Sequence, residues 1–338
     1  MTTGKKPSII EVAARAGVAP ATVSRVLNHT APVSRRLRER VLKAVEELNY
    51  RPNVFARGLV TNRSQTIGVL VTDTDSPFYG PMLRGIDDVL DNYELQMLVA
   101  SGRRDREREN RLVSMLNARV DGFILYSEGM SDDDLRQLSR TGIPVVVVGR
   151  LVPGMEENSV YLDNQYGGYL ATQYLLERGH REIAHITGPL STRDGIDRLR
   201  GYRQALEEAQ IPYQQHLVME GDFTEERGWE VTMELLRSKS RKFTAIFAGD
   251  DLTAIGTLAA LRDWGLKVPQ DMSVVGYDDI YLARYLYPPL TTIRQPVYEM
   301  GRSAADILIG NLEGRDTSKI PRRFLPTLIE RESVASIS

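Results

Sequence analysis

Two kinds of hydrophobic spacing divide the chain. In roughly the first fifty residues, apolar positions recur three and four apart in short runs; from Ile67 onward, strand-length apolar runs alternate with helix-like stretches. In the first part, Ile9, Val12 and Ala13 share one face of a short helix. Ser8-Ile-Ile-Glu11 has the form of a capping box, in which the serine side chain bonds the amide three residues on and the glutamate reaches back. Ala16-Gly17-Val18 should end that helix, because Gly17 can take the left-handed conformation a tight turn needs. A second helix is expected from about Pro20 to Leu27, with proline at the favoured first position and Val23 and Val26 inward. Ala13 is small enough to let the two cross closely, the requirement of a helix-turn-helix. A third helix, with Ser34 as its cap, carries Leu37, Val41, Val45 and Leu48 at helical spacing.

The apolar runs of the second part are Ile67–Thr72, Leu95–Ala100, Val120–Tyr126, Ile143–Val148, Val160–Leu162, Glu182–Thr187, Leu217–Glu220, Ala245–Ala248 and Met272–Gly276. Helix-like segments such as Asn164–Arg178 and Leu252–Trp264 separate most of them. Such alternation predicts an α/β architecture of parallel sheets covered by helices. One sheet with this many strands would be unusual, so two doubly wound lobes are expected.

A net charge of -2 conceals an uneven distribution. Residues 1–64 hold 12 Lys and Arg against 4 Asp and Glu, whereas the remainder holds 31 against 41. A basic head on an acidic body suits a polyanionic partner, although charge alone fits a solvated bundle equally well. Arg35, Arg36, Arg38 and Arg40 crowd the start of the third helix, where cations oppose the helix dipole and phosphates would neutralise them. The chain contains no cysteine, which excludes disulfides and thiolate metal sites. With no apolar run of membrane-spanning length and no signal-peptide pattern, the expected location is the cytoplasm.

The stretch from Ile10 to Asn28, followed by Val33-Ser34 and Leu48-Asn-Tyr-Arg-Pro-Asn53, resembles the LacI/GalR family of bacterial transcription regulators. The resemblance implies that the second helix enters the DNA major groove. Pro20 and Ala21 would then face base edges, Thr22 and Ser24 would hold phosphates, Arg25 would reach a base, and Asn28 would join the DNA-binding set. Arginine can grip guanine O6 and N7 together, and small apolar side chains can meet a thymine methyl. Where the family usually has serine, this chain has Ala19, which removes a side-chain cap worth about 1 kcal/mol. Asn53–Val60 resembles the family's hinge helix, with Asn53, Arg57 and Leu59 on DNA and Leu59 wedged into the minor groove. By itself that segment reads as a plain linker helix, too short to be stable alone.

Asp197-Arg-Leu-Arg-Gly-Tyr202, Val275-Gly-Tyr-Asp-Asp279 and Pro289-Leu-Thr-Thr-Ile-Arg-Gln-Pro296 extend the resemblance over essentially the whole chain. It implies a core similar to periplasmic sugar-binding proteins, with two lobes, three crossover segments and a ligand in the cleft. The expected division is a DNA-binding domain over 1–52, a hinge over 53–64 and an effector-binding and dimerisation domain over 65–338. Lobe 1 would take about 65–162 and 293–325, and lobe 2 about 163–292 and 326–338, with crossings near Asp163, Thr292 and Pro326.

Ligands of such sheets sit beyond the carboxyl ends of the strands. Residues just past those ends are therefore the candidates: Asp75, Ser76, Phe78, Tyr79, Arg150, Asp163, Thr192, Asp194, Arg198, Phe223, Asp250 and Asp278. A sugar site needs this mixture, in which carboxylates and arginine bond hydroxyls while aromatic rings cover C–H faces. Each has a plainer reading: Phe78 and Tyr79 as packing residues, Asp194, Asp250 and Asp279 as helix caps. Asp250 stands where asparagine is common in the family; a carboxylate accepts hydrogen bonds but does not donate them, so a different pattern of ligand groups is implied.

The sequence offers little to a catalytic reading. His29, His180, His185 and His216 lack metal-ligand spacing, and neither a Walker loop nor a nucleophile elbow is present. The expectation is thus a regulator, not an enzyme, with no cofactor: a homodimeric repressor that reads a pseudo-palindromic operator and answers to a small effector. Leu151-Val-Pro-Gly154 and Phe324–Ile329 resemble galactose-type members and point to a sugar inducer. Ala283-Arg-Tyr285 and Thr291–Pro296 also resemble the purine-type member, which leaves a purine corepressor as the alternative. The chain lacks the leucine-heptad tail of tetrameric relatives, so a dimer is expected.

Overall fold

The computed structural model describes residues 7–28, 31–50, 64–238 and 242–337. The chain forms two compact units, Met1–Gln65 and Thr66–Ser338.

In the first unit, α1 (Ile9–Ala16), α2 (Pro20–Asn28) and α3 (Arg35–Glu47) enclose Val12, Ala13, Ala16, Val23, Val26, Val41 and Ala44. The capping box at Ser8 and Glu11 forms as its sequence requires, with the Ser8 amide donating to the Glu11 carboxylate at 2.6 Å. Gly17 ends α1 in the left-handed region at φ 61° and ψ 42°. At Ala19 only the backbone carbonyl caps α2, accepting from the amides of Thr22 and Val23. Two expectations need correction. Ser34 stands at the start of α3 but its hydroxyl caps nothing, because its backbone, at φ -58° and ψ 144°, does not bring the side chain onto the first-turn amides. The arginines of α3 are not all available to phosphates: Arg40 donates to the carbonyls of Ala16 and Gly17 at 2.6 and 3.3 Å, capping the negative end of α1, and Arg35 pairs with Glu39 at 2.9 Å. The hinge segment with Asn53, Arg57 and Leu59 lies outside the described residues.

The second unit contains two six-stranded sheets. The first comprises β1 (Thr66–Val71), β2 (Gln96–Ser101), β3 (Gly122–Leu125), β4 (Val145–Gly149), β5 (Ser159–Leu162) and β11 (Arg323–Phe324), in the order β2-β1-β3-β4-β5-β11. The second comprises β6 (Ile183–Thr187), β7 (Val218–Glu220), β8 (Ala245–Ala248), β9 (Ser273–Asp278), β10 (Thr291–Arg294) and β12 (Thr327–Ile329), in the order β7-β6-β8-β9-β10-β12. All pairings are parallel except β10 with β12. Continuous valine in β4 follows from burial on both faces. Helices α4 (Tyr79–Leu90), α5 (Arg106–Leu116), α6 (Asp132–Ser139) and α11 (Val297–Glu313) accompany the first sheet; α7 (Asn164–Glu177), α8 (Arg193–Glu208), α9 (Glu225–Arg237) and α10 (Asp251–Trp264) accompany the second.

The chain passes between the sheets after Leu162, after Arg294 and between Phe324 and Thr327. The second passage thus lies two residues past Thr292, near which it was expected; Thr292 itself is interior to β10, its hydroxyl donating to the buried Asp251 carboxylate at 2.6 Å. Each sheet reverses its strand order between two neighbours, β1 and β3 in one and β6 and β8 in the other. Loops diverge at such a switch point and leave a crevice at the strand carboxyl ends.

Three helix pairs meet through reciprocal glycines: Gly85 and Gly301 between α4 and α11, Gly168 and Gly201 between α7 and α8, and Gly228 and Gly256 between α9 and α10. At all six, an added methyl group would run into backbone of the opposite helix.

Candidate functional site

In the first unit, Val23 and Val26 anchor α2 in the core, which leaves Pro20, Ala21 and Arg25 exposed and Thr22 and Ser24 half-buried. This edge has the exposure that contact with DNA demands. Asn28 ends the same helix.

In the second unit, the crevice between the two switch points holds a cavity of about 440 Å³. Nine of the twelve candidates line it: Asp75, Ser76, Phe78 and Tyr79 beyond β1, Asp194 and Arg198 on α8, Phe223 beyond β7, Asp250 beyond β8 and Asp278 at the end of β9. The other three lie elsewhere. Arg150 and Thr192 border an adjoining space of about 30 Å³, room for a water. Arg150 donates to the Met130 carbonyl at 2.6 Å, while Thr192 caps α8 by accepting from the Gly195 amide at 3.1 Å. Asp163 borders neither space; it caps α7 through the Tyr166 amide and pairs with Arg323 at 2.6 Å.

Arg198 organises the floor. Its side chain is 3% exposed and stacks on the Tyr277 ring, 3.8 Å from the centroid. Nε donates to Asn164 Oδ1 at 2.9 Å and Nη1 to the Gly249 carbonyl at 2.6 Å. Nη2 faces Asp194 at 3.8 Å and Asp278 at 3.7 Å. Burial works against the guanidinium charge, but Asp278, Tyr277 and Asp194 outweigh it and raise its pKa. Asp194 also accepts from the Tyr126 hydroxyl at 2.9 Å, a bond across the cleft, and from Asn164 Nδ2 at 3.0 Å. The expected cap role of Asp194 therefore falls to Thr192. Asp250 does cap α10, accepting from the Thr253 amide at 2.9 Å, while lining the cavity. Asp279, expected as a cap, is gripped by Arg294 at 2.7 Å and Arg331 at 2.5 Å.

Residues past β2 and β3 complete the wall. Arg104 and Glu128 stand just beyond strand carboxyl ends, the position that marks the other lining residues. Arg104 donates from Nε to Glu128 at 2.6 Å, approaches Asp73 at 3.6 Å and lies over the Phe223 ring at 5.6 Å. Glu109, buried on α5, accepts from the Ser127 hydroxyl and the Met130 amide and so holds the loop that carries Glu128. Phe78, Tyr79 and Tyr126 meet edge to face with centroids 5.0 to 5.9 Å apart.

Burial dominates the acids' protonation. Asp278 is raised to about 8, desolvation and Asp250 outweighing Arg198 and the Gln295 side chain, which donates at 2.6 Å. Glu128 is raised to about 7, by burial first and by Asp194 across the cleft second. Asp250 is also raised, by burial. Arg104, Phe223 and Asp278 all have positive φ, at 55°, 67° and 110°. Strain of this kind in three lining residues marks a surface shaped for more than packing. Among the described residues, no group of acidic and histidine side chains has the arrangement of a metal site.

Comparison with known proteins gives a consistent picture. Residues 8–53 match the model described as bacterial regulatory proteins, lacI family, and residues 172–334 match a periplasmic binding protein-like domain. The transcriptional repressor PurR of Edwardsiella ictaluri is 37% identical, over 97% of this chain and 97% of that protein. The lac repressor dimer bound to operator and the anti-inducer ONPF superposes with a TM-score of 0.86 at 31% identity, covering 98% of this chain and 100% of the other. A complex of the transcriptional regulator CelR with cellobiose superposes with a TM-score of 0.71 at 37% identity, covering 97% and 99%.

Proposed function

We propose, from the premise that this chain belongs to the lacI family of bacterial regulatory proteins, that it represses transcription as a homodimer whose operator affinity is set by a sugar bound between its two lobes. Two copies of α2 would read the half-sites of a pseudo-palindromic operator, since two-fold symmetry in the protein maps onto the DNA. Pro20, Ala21 and Arg25 would meet base edges, and Thr22, Ser24 and Asn28 would fix the register. Asn53, Arg57 and Leu59 are proposed to extend the contact into the minor groove.

The observation that carries the sugar reading is the make-up of the cavity. Carboxylates and two guanidiniums face inward beside four aromatic rings at the carboxyl ends of both sheets. Paired hydroxyls can bridge such groups, and ring edges and partly covered faces still offer apolar surface to the C–H groups of a sugar. The geometry is less suited to a flat base. Phe78, Tyr79 and Tyr126 present edges to one another, and the guanidiniums of Arg104 and Arg198 already lie over Phe223. Cellobiose in the CelR complex agrees with the sugar reading. Arg150, Asp163 and Thr192 would act behind the cavity wall, by holding the loops that shape it.

A ligand that contacts both lobes favours one angle between them, and that preference is what it can use to change DNA affinity. By linkage, operator must lower effector affinity by the same factor that effector lowers operator affinity. The test is fluorescence anisotropy of labelled operator at fixed salt, with a panel of sugars and purines added in turn. Release by a sugar, lost in Asp278→Ala while DNA binding persists, is the expected result. Tighter DNA binding with a purine would replace the inducer reading by a corepressor one, and a normal response from Asp278→Ala would remove the cavity assignment.

A further inference from the structure

Acidic groups outnumber basic ones in the cavity: eight carboxyl groups line it, Glu225 and Glu226 at its exposed edge, against the guanidiniums of Arg104 and Arg198. Burial raises Asp278 to about 8 and Glu128 to about 7, so these acids hold their protons more readily than free carboxyls, and a ligand cation would reverse that. Arg104 is taken up by Glu128 and Asp73, on the lobe 1 side. On the lobe 2 side, Arg198 Nη2 faces both Asp194 and Asp278, while Nε donates to Asn164 and Nη1 to the Gly249 carbonyl. Asp250 stands beside this group with no cation of its own: among the described residues, no lysine, arginine or histidine lies within ion-pair distance of it.

Asp250 is 5% exposed, and its opening is to the cavity. Oδ1 accepts from the Thr253 amide, while Oδ2 is open to solvent on the cavity side. A buried carboxylate with a free oxygen is costly unless it is protonated or meets a donor from elsewhere. A backbone amide is already used, and solvent reaches the oxygen only through the space a ligand would fill. A donor on a ligand seated in the cavity would meet this oxygen directly and favour its charged form. A neutral hydroxyl would give one hydrogen bond and leave the charge. A phosphate or carboxylate would add to the excess. An ammonium group supplies both a donor and the opposite charge.

Resting on the sugar reading above, we propose that the effector is a polyhydroxylated cation, an amino sugar, with its ammonium group seated between Asp250 and Asp278 and its hydroxyls on Arg198, Asp194 and Asp75. Asp250 is then the residue that selects amine over hydroxyl. Asparagine at this position would keep the helix cap, since its side-chain oxygen can accept from the same amide, but would remove the charge.

Isothermal titration calorimetry on the intact protein near neutral pH compares D-glucosamine and D-galactosamine with D-glucose, D-galactose and N-acetyl-D-glucosamine. Acetylation keeps the ring and removes the charge. One of the amines should bind roughly 10- to 100-fold more tightly than its neutral counterparts, as expected for a charge-assisted hydrogen bond. In Asp250→Asn that gap should close while the neutral sugars keep or improve their affinity. Neutral sugars that bind the wild-type protein as tightly as the amines would overturn the proposal and leave the sugar reading standing. A gap unchanged in Asp250→Asn would overturn the role of Asp250. Binding by neither class at millimolar concentration would overturn this proposal, while the sugar reading is decided separately by operator release with the wider sugar panel. The wild-type comparison decides the charge question even if the variant fails to fold.

Discussion

Replacing Glu128 by glutamine should make the protein more stable at neutral and alkaline pH, even though it removes the partner of Arg104. The carboxyl titrates at about 7 in the folded chain against an ordinary 4.5, since burial and the facing Asp194 outweigh the 2.6 Å contact with Arg104. Between those values the native state holds a proton that the unfolded chain has released. Stability therefore falls as pH rises through the window; the penalty is absent below about pH 4.5 and complete above about pH 7. The gap corresponds to ~3 kcal/mol. Glutamine carries no charge, can still accept from Arg104 through its amide oxygen, and leaves Arg104 its approach to Asp73 at 3.6 Å. Thermal unfolding of wild type and variant across pH 4 to 9 reads the effect as a difference. At about 2–4 °C per kcal/mol for a domain of this size, the variant should melt about 6–12 °C higher at pH 8 and at the same temperature near pH 4. A variant that melts lower than wild type at pH 8 would refute the reasoning, because it would mean that the ion pair with Arg104 is worth more than the burial of its carboxylate costs.

Further outcomes follow for both units. Arg25→Ala should weaken operator binding by about 1–3 kcal/mol and relax base preference at one position in each half-site, without changing the calorimetric affinity for effector. Arg40→Ala should lower the melting temperature of the helical unit, by about 1 kcal/mol of stability, because it uncaps α1 at Ala16 and Gly17; a change confined to the salt slope of DNA binding would instead identify Arg40 as a phosphate contact. Gly201→Ala should cost about 1–3 kcal/mol in thermal unfolding, since its methyl group meets the Gln165 carbonyl on α7; a neutral result would show that the helices can separate freely.

Much of the fold is legible in the sequence because its signals are local. The capping box at Ser8, the left-handed turn at Gly17 and the four consecutive valines of β4 each report their own conformation. The short strands β11 and β12 leave no such trace: two and three residues long, they are held at sheet edges by partners far away in the chain. Site residues divide in the same way. Asp75, Phe223 and Asp250 sit beyond strand ends and Asp278 at one, and all are found by topology alone. Arg104 and Glu128 obey the same rule, but their significance lies in facing each other and Asp194 across two loops, a relation that spacing does not encode. Asp279 reads as a cap next to a strand end, yet tertiary structure surrounds it with Arg294 and Arg331. Ser34 errs in the opposite direction, with the right residue type in a backbone conformation that wastes it.

The reciprocal glycines have a mechanical meaning for a protein that must convey a small displacement. Helix α7 begins directly after the first passage between the sheets and α11 directly after the second, and each is seated against its neighbour by backbone-to-backbone contact at Gly168 and Gly201, and at Gly85 and Gly301. Helices separated by long side chains can slide as rotamers change, and that play would absorb an ångström-scale movement before it reached the rest of the lobe. Contacts made through backbone have no rotamers to adjust. Motion at the crossings would then carry each lobe along as a stiff body, with little lost travel between the ligand and whatever the lobe must move.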